Sequence, residues 1–194
     1  IIVRLVSGIK HQVSSVFNFY SVFFIFSLLF FILVMVYSYF AINSYYGNLQ
    51  VYYGLDGTAY LKNSYPTDYE AILWLNKNIK GQPVILEAQG DSYTDFARVS
   101  ANTGLPTVLG WTVHEWLWRG TYDVPAPRIE EVKTLYEAKE LNTTEQLIKK
   151  YNIELVFVGD LERQKYLNLN EQKFESLGEV VFQAYETRIY KLTN

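Results

Sequence analysis

Residues 16–42 read VFNFYSVFFIFSLLFFILVMVYSYFAI and contain no charged side chain. As an α-helix this stretch extends about 40 Å, at about 1.5 Å per residue, which exceeds the roughly 30 Å hydrocarbon core of a bilayer. A buried core helix of this length would carry a polar face, and the apolar region of a signal peptide is normally about 7–15 residues long. We therefore predict one N-terminal transmembrane helix at residues 16–42.

The flanks of this span predict its orientation. Arg4, Lys10 and His11 precede it with no acidic residue among them, whereas tyrosines cluster at its C-terminal end. Aromatic rings of this kind favour the membrane interface, and cationic flanks favour the cytoplasmic side. The predicted order is a cytoplasmic flank at 1–15, the transmembrane helix at 16–42, an aromatic linker at 43–65 and an extracytoplasmic domain at 66–194. The predicted location is thus the cell membrane, with the C-terminal domain outside.

Charge separates the span from the rest of the chain. The 194 residues carry a formal net charge of −3 and no cysteine, which excludes a disulfide framework, a thiolate metal site and a cysteine nucleophile. All acidic residues lie at Asp56 or beyond, and this acidic domain lacks the basic stripe that a nucleic-acid partner needs. The two histidines, His11 and His114, lie on opposite sides of the span, so no metal site is predicted.

Beyond Asp56, short apolar runs alternate with stretches of helical spacing. Strands are predicted at 83–88, 105–109 and Ile153–Val158, since each run follows a turn signal or a helical stretch. Helices are predicted at 66–79, 128–139 and 143–151 and after Asp160, and a terminal hairpin at 179–184 and Thr187–Leu192. This alternation predicts a layered α/β domain with a mostly parallel sheet and a C-terminal β-hairpin.

Two helix starts are predicted from their capping residues. Thr143 or Thr144 is the expected cap of the helix that leads to the third strand, because a hydroxyl can accept a hydrogen bond from a free backbone N–H. Asp160 is the expected cap of the helix after that strand, with Glu162 favourable near the positive end of the helix dipole.

The candidate site lies in the two segments that follow the first two predicted strands. Residues 87–95 and 110–120 are polar and aromatic, and they share one rim if the strands are parallel neighbours, because ligands bind beyond the C-terminal ends of such strands. Three tryptophans fall within eight residues of the second segment. The predicted ligand-binding residues are Glu87, Asp91, Tyr93, Arg98, Trp111, His114, Glu115, Trp118 and Arg119.

Several chemistries fit this composition. Aromatic platforms beside carboxylates suit sugar rings, which combine apolar faces with hydroxyl edges. A phosphate or an anionic headgroup would use Arg98, Arg119 or Arg163, whose planar forks match phosphate oxygens. Paired carboxylates for acid–base work or a hard cation could come from Glu87, Asp91 and Asp95.

The competing interpretation of the aromatic residues is structural. Trp111, Trp116 and Trp118 could instead pack the domain against membrane helices or the bilayer interface. Specific enzyme templates are absent: His114-Glu115 has no second histidine at metalloprotease spacing, and Thr94 stands where a nucleophile elbow requires glycine.

Six strings resemble one group of large, very hydrophobic prokaryotic membrane proteins, the Chlor_Arch_YYY type, a domain of unknown function named for a Tyr-Tyr-Tyr motif. They are LDGTAYL (55–61), DYEAILWLN (68–76), PVILEAQGDSYT (83–94), RVSANTGLPTVLGW (98–111), HEWLWRG (114–120) and KYNIELVFVGDLER (150–163). The resemblance implies that this chain corresponds to the final transmembrane helix and C-terminal extracytoplasmic domain of a longer multi-pass protein. Tyrosine pairs occur here as Tyr45-Tyr46 and Tyr52-Tyr53.

The architecture of that group is similar to membrane glycosyltransferases that use polyprenyl-phosphate sugars. The resemblance implies that the catalytic carboxylate lies on an early loop outside this chain, so no catalytic residue is carried over and the fragment alone is expected to be inactive. No cofactor is expected in the fragment; a divalent cation is an expectation for the parent protein only. The implied partners are the membrane, the remainder of the parent protein and a lipid-linked sugar or glycan.

The leading hypothesis is therefore the C-terminal domain of a glycosyltransferase-like membrane protein that contributes to a sugar or polyprenyl-phosphate-sugar site. The alternative is a non-catalytic binding or assembly module for surface polysaccharide or a partner protein. A transporter subunit would require ionisable residues within the membrane, and residues 16–42 contain none.

Overall fold

The computed structural model describes the backbone of residues 2–47 and 54–193, and side chains from residue 18 onward. The chain divides into two compact units, residues 1–55 and 56–194. The first unit contains helix α1 (Ile2–Tyr46), and its segment Asn18–Tyr46 could cross a membrane by length and composition. The large apolar side chains of this segment are exposed, unlike those of a core helix in a soluble protein.

Helix α1 extends beyond both ends of the predicted span at 16–42. The side chains that predict the orientation, Arg4, Lys10 and His11, lie outside the described residues, as do linker residues 48–53, which include Tyr52 and Tyr53. The orientation thus stays a prediction.

The second unit contains eight helices and four strands within its described residues. In chain order they are α2 (Ala59–Ser64), α3 (Pro66–Asn78), β1 (Val84–Leu86), α4 (Arg98–Thr103), α5 (Thr112–Arg119), α6 (Pro125–Glu137), α7 (Leu141–Tyr151), β2 (Ile153–Val158), α8 (Asp160–Lys165), α9 (Gln172–Leu177), β3 (Gly178–Ala184) and β4 (Thr187–Leu192). Pro66 and Pro125 are the first residues of α3 and α6. A backbone N–H at this position makes no hydrogen bond within the helix, so proline, which lacks the N–H, is tolerated there.

The sheet has the strand order β1-β2-β4-β3. The predicted layered α/β fold and C-terminal hairpin are confirmed, but the sheet is mostly antiparallel rather than mostly parallel. Only β1 and β2 pair in parallel, whereas β4 pairs antiparallel with both β2 and β3. The hairpin causes this difference, because it places β4 directly beside β2.

The predicted strand at 105–109 does not form. The segment runs parallel to β1 but meets it through a single bridge between Ile85 and Thr107, beside a hydrogen bond from Ile85 N to Pro106 O of 2.9 Å. Proline has no N–H to donate, so Pro106 interrupts the ladder that a strand would need.

Helices cover both faces of the sheet, because alternate residues of each strand point to opposite sides. Leu86 and Val156 belong to a core cluster that includes residues of α6, α7 and α9. Ile85 and Leu155 belong to a second cluster with residues of α2, α3 and α4. The second unit is thus a three-layer α/β/α arrangement.

Both predicted helix caps are displaced. Helix α7 begins at Leu141, so Thr143 and Thr144 lie inside its first turn, and the Thr144 hydroxyl donates to the Glu140 carbonyl at 3.3 Å. Helix α8 begins at Asp160, so Gly159 is the cap. The free N–H of Gly159 is satisfied by the Glu162 carboxylate at 3.0 Å, which explains why the aspartate is not needed there.

Candidate functional site

The two predicted site segments meet beyond the C-terminal end of β1. Gly90 and Trp111 form a parallel bridge, in which Thr112 N donates to Gly90 O at 3.2 Å and Gly90 N donates to Gly110 O at 3.4 Å. The expected shared rim is therefore confirmed. The second segment, however, is largely the helix α5 rather than a loop.

A cleft of about 440 Å³ lies between these segments. We name its polar lining, from the segment after β1, Thr112 and the Lys165 amine, the polar wall, and its aromatic lining, from Trp116 and Tyr122, the aromatic wall. Phe96, Val113 and Ile129 add apolar surface. The lining residues are Gln89, Gly90, Asp91, Thr94, Phe96, Thr112, Val113, Trp116, Tyr122, Ile129 and Lys165.

The polar wall is organised around Gln89. Its side-chain oxygen accepts a hydrogen bond from the Thr112 hydroxyl at 3.1 Å, and its carbonyl accepts one from the Lys165 amine. The Lys165 nitrogen also lies 4.5 Å from the centre of the Phe96 ring. Burial lowers the pKa of Lys165, while the charge of Asp91 acts in the opposite direction. The wall thus combines one acid, one amine and a hydroxyl.

The aromatic wall is formed by Trp116 and Tyr122. Their rings meet edge to face with centroids 5.7 Å apart, and about 43% and 44% of the two side chains remain exposed. Both rings therefore keep part of their surface available to a ligand.

Trp111, His114 and Tyr93 form a separate aromatic cluster. The Trp111 indole N–H donates to Phe96 O at 2.8 Å, and the His114 ring lies 5.1 Å from Trp111 and 5.2 Å from Tyr93. Tyr93 adopts a left-handed backbone conformation with φ of 63°, which is rare for a bulky residue and costs free energy. These predicted site residues therefore fix the rim segment, and the cleft lies beside them.

Glu115 and Arg119 have protein partners on the same rim. One Glu115 oxygen accepts from Gly110 N at 3.0 Å, and the other pairs with Arg119 one helical turn later at 3.1 Å. Glu115 thus ties α5 to the strand-like segment that precedes it, and its carboxylate is not free for acid–base work in this arrangement.

The crevice between β1 and β2 is filled by the protein's own charges. After β1 the chain passes to the side of β1 that faces away from β2, and after β2 it passes to the opposite side. The crevice from which the two connections diverge is the usual ligand position in an open α/β sheet. Here it is occupied by Arg98, whose guanidinium contacts Asp68 at 2.5 Å and Glu162 at 2.8 Å. Arg98 is only 1% exposed, so it is removed from the candidate ligand residues.

Electrostatics favour the ionised forms of Glu162 and Arg98, whereas burial raises the pKa of Asp68. Burial opposes the charge on Glu162, but Arg98 and the hydrogen bonds that Glu162 accepts keep the pKa of Glu162 below its usual value. Burial likewise opposes the charge on Arg98, yet Glu162 and Asp68 raise the pKa of Arg98. The group is thus an ion-paired element of the fold rather than a site for a phosphate.

The three carboxylates considered for acid–base work or a hard cation are engaged separately. Glu87 is fully buried and accepts hydrogen bonds from Val99 N at 2.8 Å and Ser100 N at 2.9 Å, so it caps α4 from outside that helix. Burial raises the pKa of Glu87 to about 7. Asp95 accepts a hydrogen bond from the Tyr65 hydroxyl at 2.9 Å, which leaves Asp91 as the member that lines the cleft. Within the described residues, no three His, Asp or Glu side chains are placed to hold a metal ion.

Arg163 lies in a second, wider groove of about 810 Å³ near the end of β2. It pairs with Glu171, whose other oxygen contacts Arg188 at 3.0 Å. The Tyr190 hydroxyl donates to the same carboxylate at 2.7 Å. Both arginines are thus already neutralised in part by one shared acid.

The structure adds cleft residues that are absent from the predicted ligand-binding set, namely Gln89, Thr112, Trp116, Tyr122 and Lys165. Ligands bind beyond the C-terminal ends of strands in such sheets. The same expectation for β2 would have indicated Lys165, which follows that strand in α8. Tyr122 carried no comparable signal, because it lies in the turn between α5 and α6.

The fold and the cleft together define the class of protein: a helix capable of spanning a membrane, followed by an α/β domain with a half-aromatic cleft at its strand ends. No family model, curated protein or solved structure matches this chain. The resemblance to the Chlor_Arch_YYY type therefore stays a prediction.

Proposed function

We propose that the second unit binds a sugar in the cleft and is the C-terminal domain of a glycosyltransferase-like membrane protein. The observation that carries this proposal is that one cleft combines the aromatic rings of Trp116 and Tyr122 with the charged groups of Asp91 and Lys165. A sugar ring offers an apolar C–H face to aromatic rings and hydroxyls to charged and polar groups. A volume of about 440 Å³ is in the range of small-molecule sites.

The cleft suits the hydroxyl-bearing ring of a sugar better than a phosphate. Arg98 is buried between two carboxylates, and Arg119 and Arg163 pair with Glu115 and Glu171. Lys165 is thus the cleft's own cation, and it is balanced by Asp91. We propose that any phosphate of a lipid-linked sugar is held by other parts of the parent protein.

The membrane location and sidedness belong to the same proposal. The Asn18–Tyr46 segment of α1 supports membrane insertion by its length and composition, and the cationic flank supports a cytoplasmic N-terminus. Because the chain lacks cysteine, a Leu167→Cys variant tests sidedness directly. We expect a membrane-impermeant maleimide to label it in intact cells; labelling only after lysis would reverse the proposed topology.

The second candidate function is a non-catalytic module that binds surface polysaccharide or a partner protein. It is favoured by the structural engagement of Glu87 and Glu115, which cap α4 and tie down α5 and so contribute no free acid–base group to the cleft. Glycan profiling of the parent protein in its host separates the two functions. A Trp116→Ala change alters newly made products if the domain serves a transferase, and alters only glycan retention if it is a binding module.

The direct test is saturation-transfer NMR on the full chain in lipid nanodiscs, with glucose, mannose, galactose and N-acetylglucosamine as probes. We expect saturation of ring C–H protons for at least one sugar, and loss of that signal in Trp116→Ala. Tyr60→Ala is the matched control, because Tyr60 is also 43% exposed but lies on α2, away from the cleft residues. Absence of saturation for all four sugars, or equal loss in both variants, would refute sugar binding at the cleft.

A further inference from the structure

Helix α5 turns its apolar face away from the domain. Thr112 and Glu115, which lie on its inner side, hydrogen-bond to Gln89 and Gly110. On the outer side, Leu117 and Trp118 are exposed by 64% and 90%, and Val113, which also borders the cleft, by 39%. Helical spacing puts Val113 beside Leu117 and His114 beside Trp118 on one face. Most of the exposed apolar surface of α5 therefore points away from the domain, the reverse of the usual arrangement of a surface helix.

Tyr93 extends this face beyond the helix. It is 85% exposed, and its ring packs edge to face against His114, with centroids 5.2 Å apart. We name the surface formed by Tyr93, Val113, Leu117 and Trp118 the α5 patch. None of its members carries a charge, and a contiguous apolar surface of this kind marks a site of contact with a partner or a membrane.

The sequence limits what can cover the patch. Nine residues, 47–55, separate the end of α1 from the start of the second unit, and nine residues span at most about 32 Å at about 3.6 Å each. A bilayer that contains α1 is therefore always within reach of the second unit, at a high effective concentration. Any soluble partner would have to compete with that lipid surface.

The chemistry of the patch matches the interfacial layer of a bilayer. Trp and Tyr combine an apolar body with a polar tip, and both are enriched where headgroups meet hydrocarbon. We infer that the α5 patch docks on the lipid surface. This inference rests on α1 spanning the membrane, but it does not require sugar binding in the cleft.

Site-directed spin labelling tests the inference, because the chain has no native cysteine. Nitroxides are attached to the full chain at Trp118→Cys, Leu117→Cys, Leu33→Cys and Leu167→Cys, in phosphatidylcholine vesicles. Leu33 lies in α1, and Leu167 is 87% exposed in the turn after α8, so they are the lipid and water references. Collision rates with oxygen and with a neutral nickel chelate report the depth of each label.

We expect positions 117 and 118 to show at least a threefold higher ratio of oxygen to nickel collisions than position 167. The Leu117→Cys variant retains Trp118, so it covers the case in which removing the tryptophan itself weakens docking. Ratios at 117 and 118 equal to that at 167, with position 33 in lipid, would overturn docking while leaving the anchor intact. Labels at 117 and 118 that are shielded from both reagents would also overturn it, since they would indicate a protein partner. An aqueous signal at position 33 would refute the membrane anchor and the inference together.

Discussion

Glu162 Oε2 lies 2.8 Å from Arg98 Nη2, and neither side chain is exposed to solvent. Asp68 contacts the same guanidinium at 2.5 Å, so one buried cation joins α3, α4 and α8. A buried ion group of this kind contributes little net stability, because desolvation offsets the attraction between the charges. It does make the position of each helix depend on the other two. Because α8 is held in this way, the backbone position from which the Lys165 side chain extends into the cleft is also fixed.

Removing the cation should therefore be costly. We expect Arg98→Met to lower the free energy of unfolding by about 3–5 kcal/mol, because it leaves two buried carboxylates without a partner. Arg119→Met is the control, since Arg119 forms an exposed pair with Glu115 and should change stability by about 1 kcal/mol or less. Urea unfolding of the full chain in detergent, followed by near-ultraviolet circular dichroism, measures both. Similar small losses in the two variants would show that the buried group does not couple the helices.

Glu87 should make stability depend on pH in an unusual direction. Burial raises its pKa to about 7 from an ordinary value of about 4.5, so the folded chain binds more protons than the unfolded chain between these two values. Its contribution to stability is therefore present below about pH 4.5 and is lost as the pH rises through about 7. At about 1.4 kcal/mol per pKa unit, the loss is on the order of 3 kcal/mol.

The Glu87→Gln variant isolates this effect because glutamine does not titrate. We expect the difference in unfolding free energy, wild type minus variant, to decrease steadily from pH 5 to pH 8, as measured by urea unfolding at each pH. A difference that is constant over this range would mean that Glu87 has the same pKa in the folded and unfolded chain.

Glu171 should act in the opposite direction. Burial favours its neutral form, but hydrogen bonds from Arg163 and Tyr190 lower its pKa below the ordinary value. Its contribution to stability is present above about pH 4.5 and is lost as the pH falls through its lower folded pKa. We therefore expect wild type to lose more stability than Glu171→Gln between pH 5 and pH 3, as followed by thermal unfolding. Glu175→Gln, an exposed acid in the same groove, should behave like wild type.

The comparison of sequence with structure shows which signals are local. Strand β2 agrees with its predicted bounds, Ile153–Val158, because the run is short, rich in β-branched and aromatic residues and, apart from Glu154, apolar. The segment 105–109 has a similar apolar composition, but Pro106 prevents a ladder. Helix α5 was not predicted, although Val113, Trp116 and Leu117 have the i, i+3, i+4 spacing of an amphipathic helix.

The site was only partly accessible from sequence for a different reason. The meeting of the two rim segments was predicted on the condition that their strands are parallel neighbours, and the segments do meet at the parallel bridge between Gly90 and Trp111. Asp91 lines the cleft beside them. Arg98 is chemically identical to an arginine that binds phosphate, and only the fold brings it against Asp68 and Glu162, which are 30 and 64 residues away in sequence. Ion pairs between residues so far apart in the chain leave no periodic pattern in the sequence.

Gly90 links the fold to the cleft most directly. A Cβ atom at this position would lie 2.2 Å from Cδ2 of Phe96, so Gly90→Ala forces the Phe96 ring to move. That ring lines the cleft and lies beneath the Lys165 amine, and we expect the sugar signal in saturation-transfer NMR to fall at least tenfold. Overpacking should also cost about 1–3 kcal/mol of stability.

The control for this change is Gly57→Ala, because a Cβ atom at Gly57 would meet nothing within 4 Å. We expect it to retain both stability and sugar binding. If Gly90→Ala loses stability but retains the sugar signal, then Phe96 does not shape the binding surface, and the ligand must contact Trp116 and Tyr122 without reaching the polar wall. The NMR difference between the two variants thus tests whether both walls of the cleft act on the same ligand.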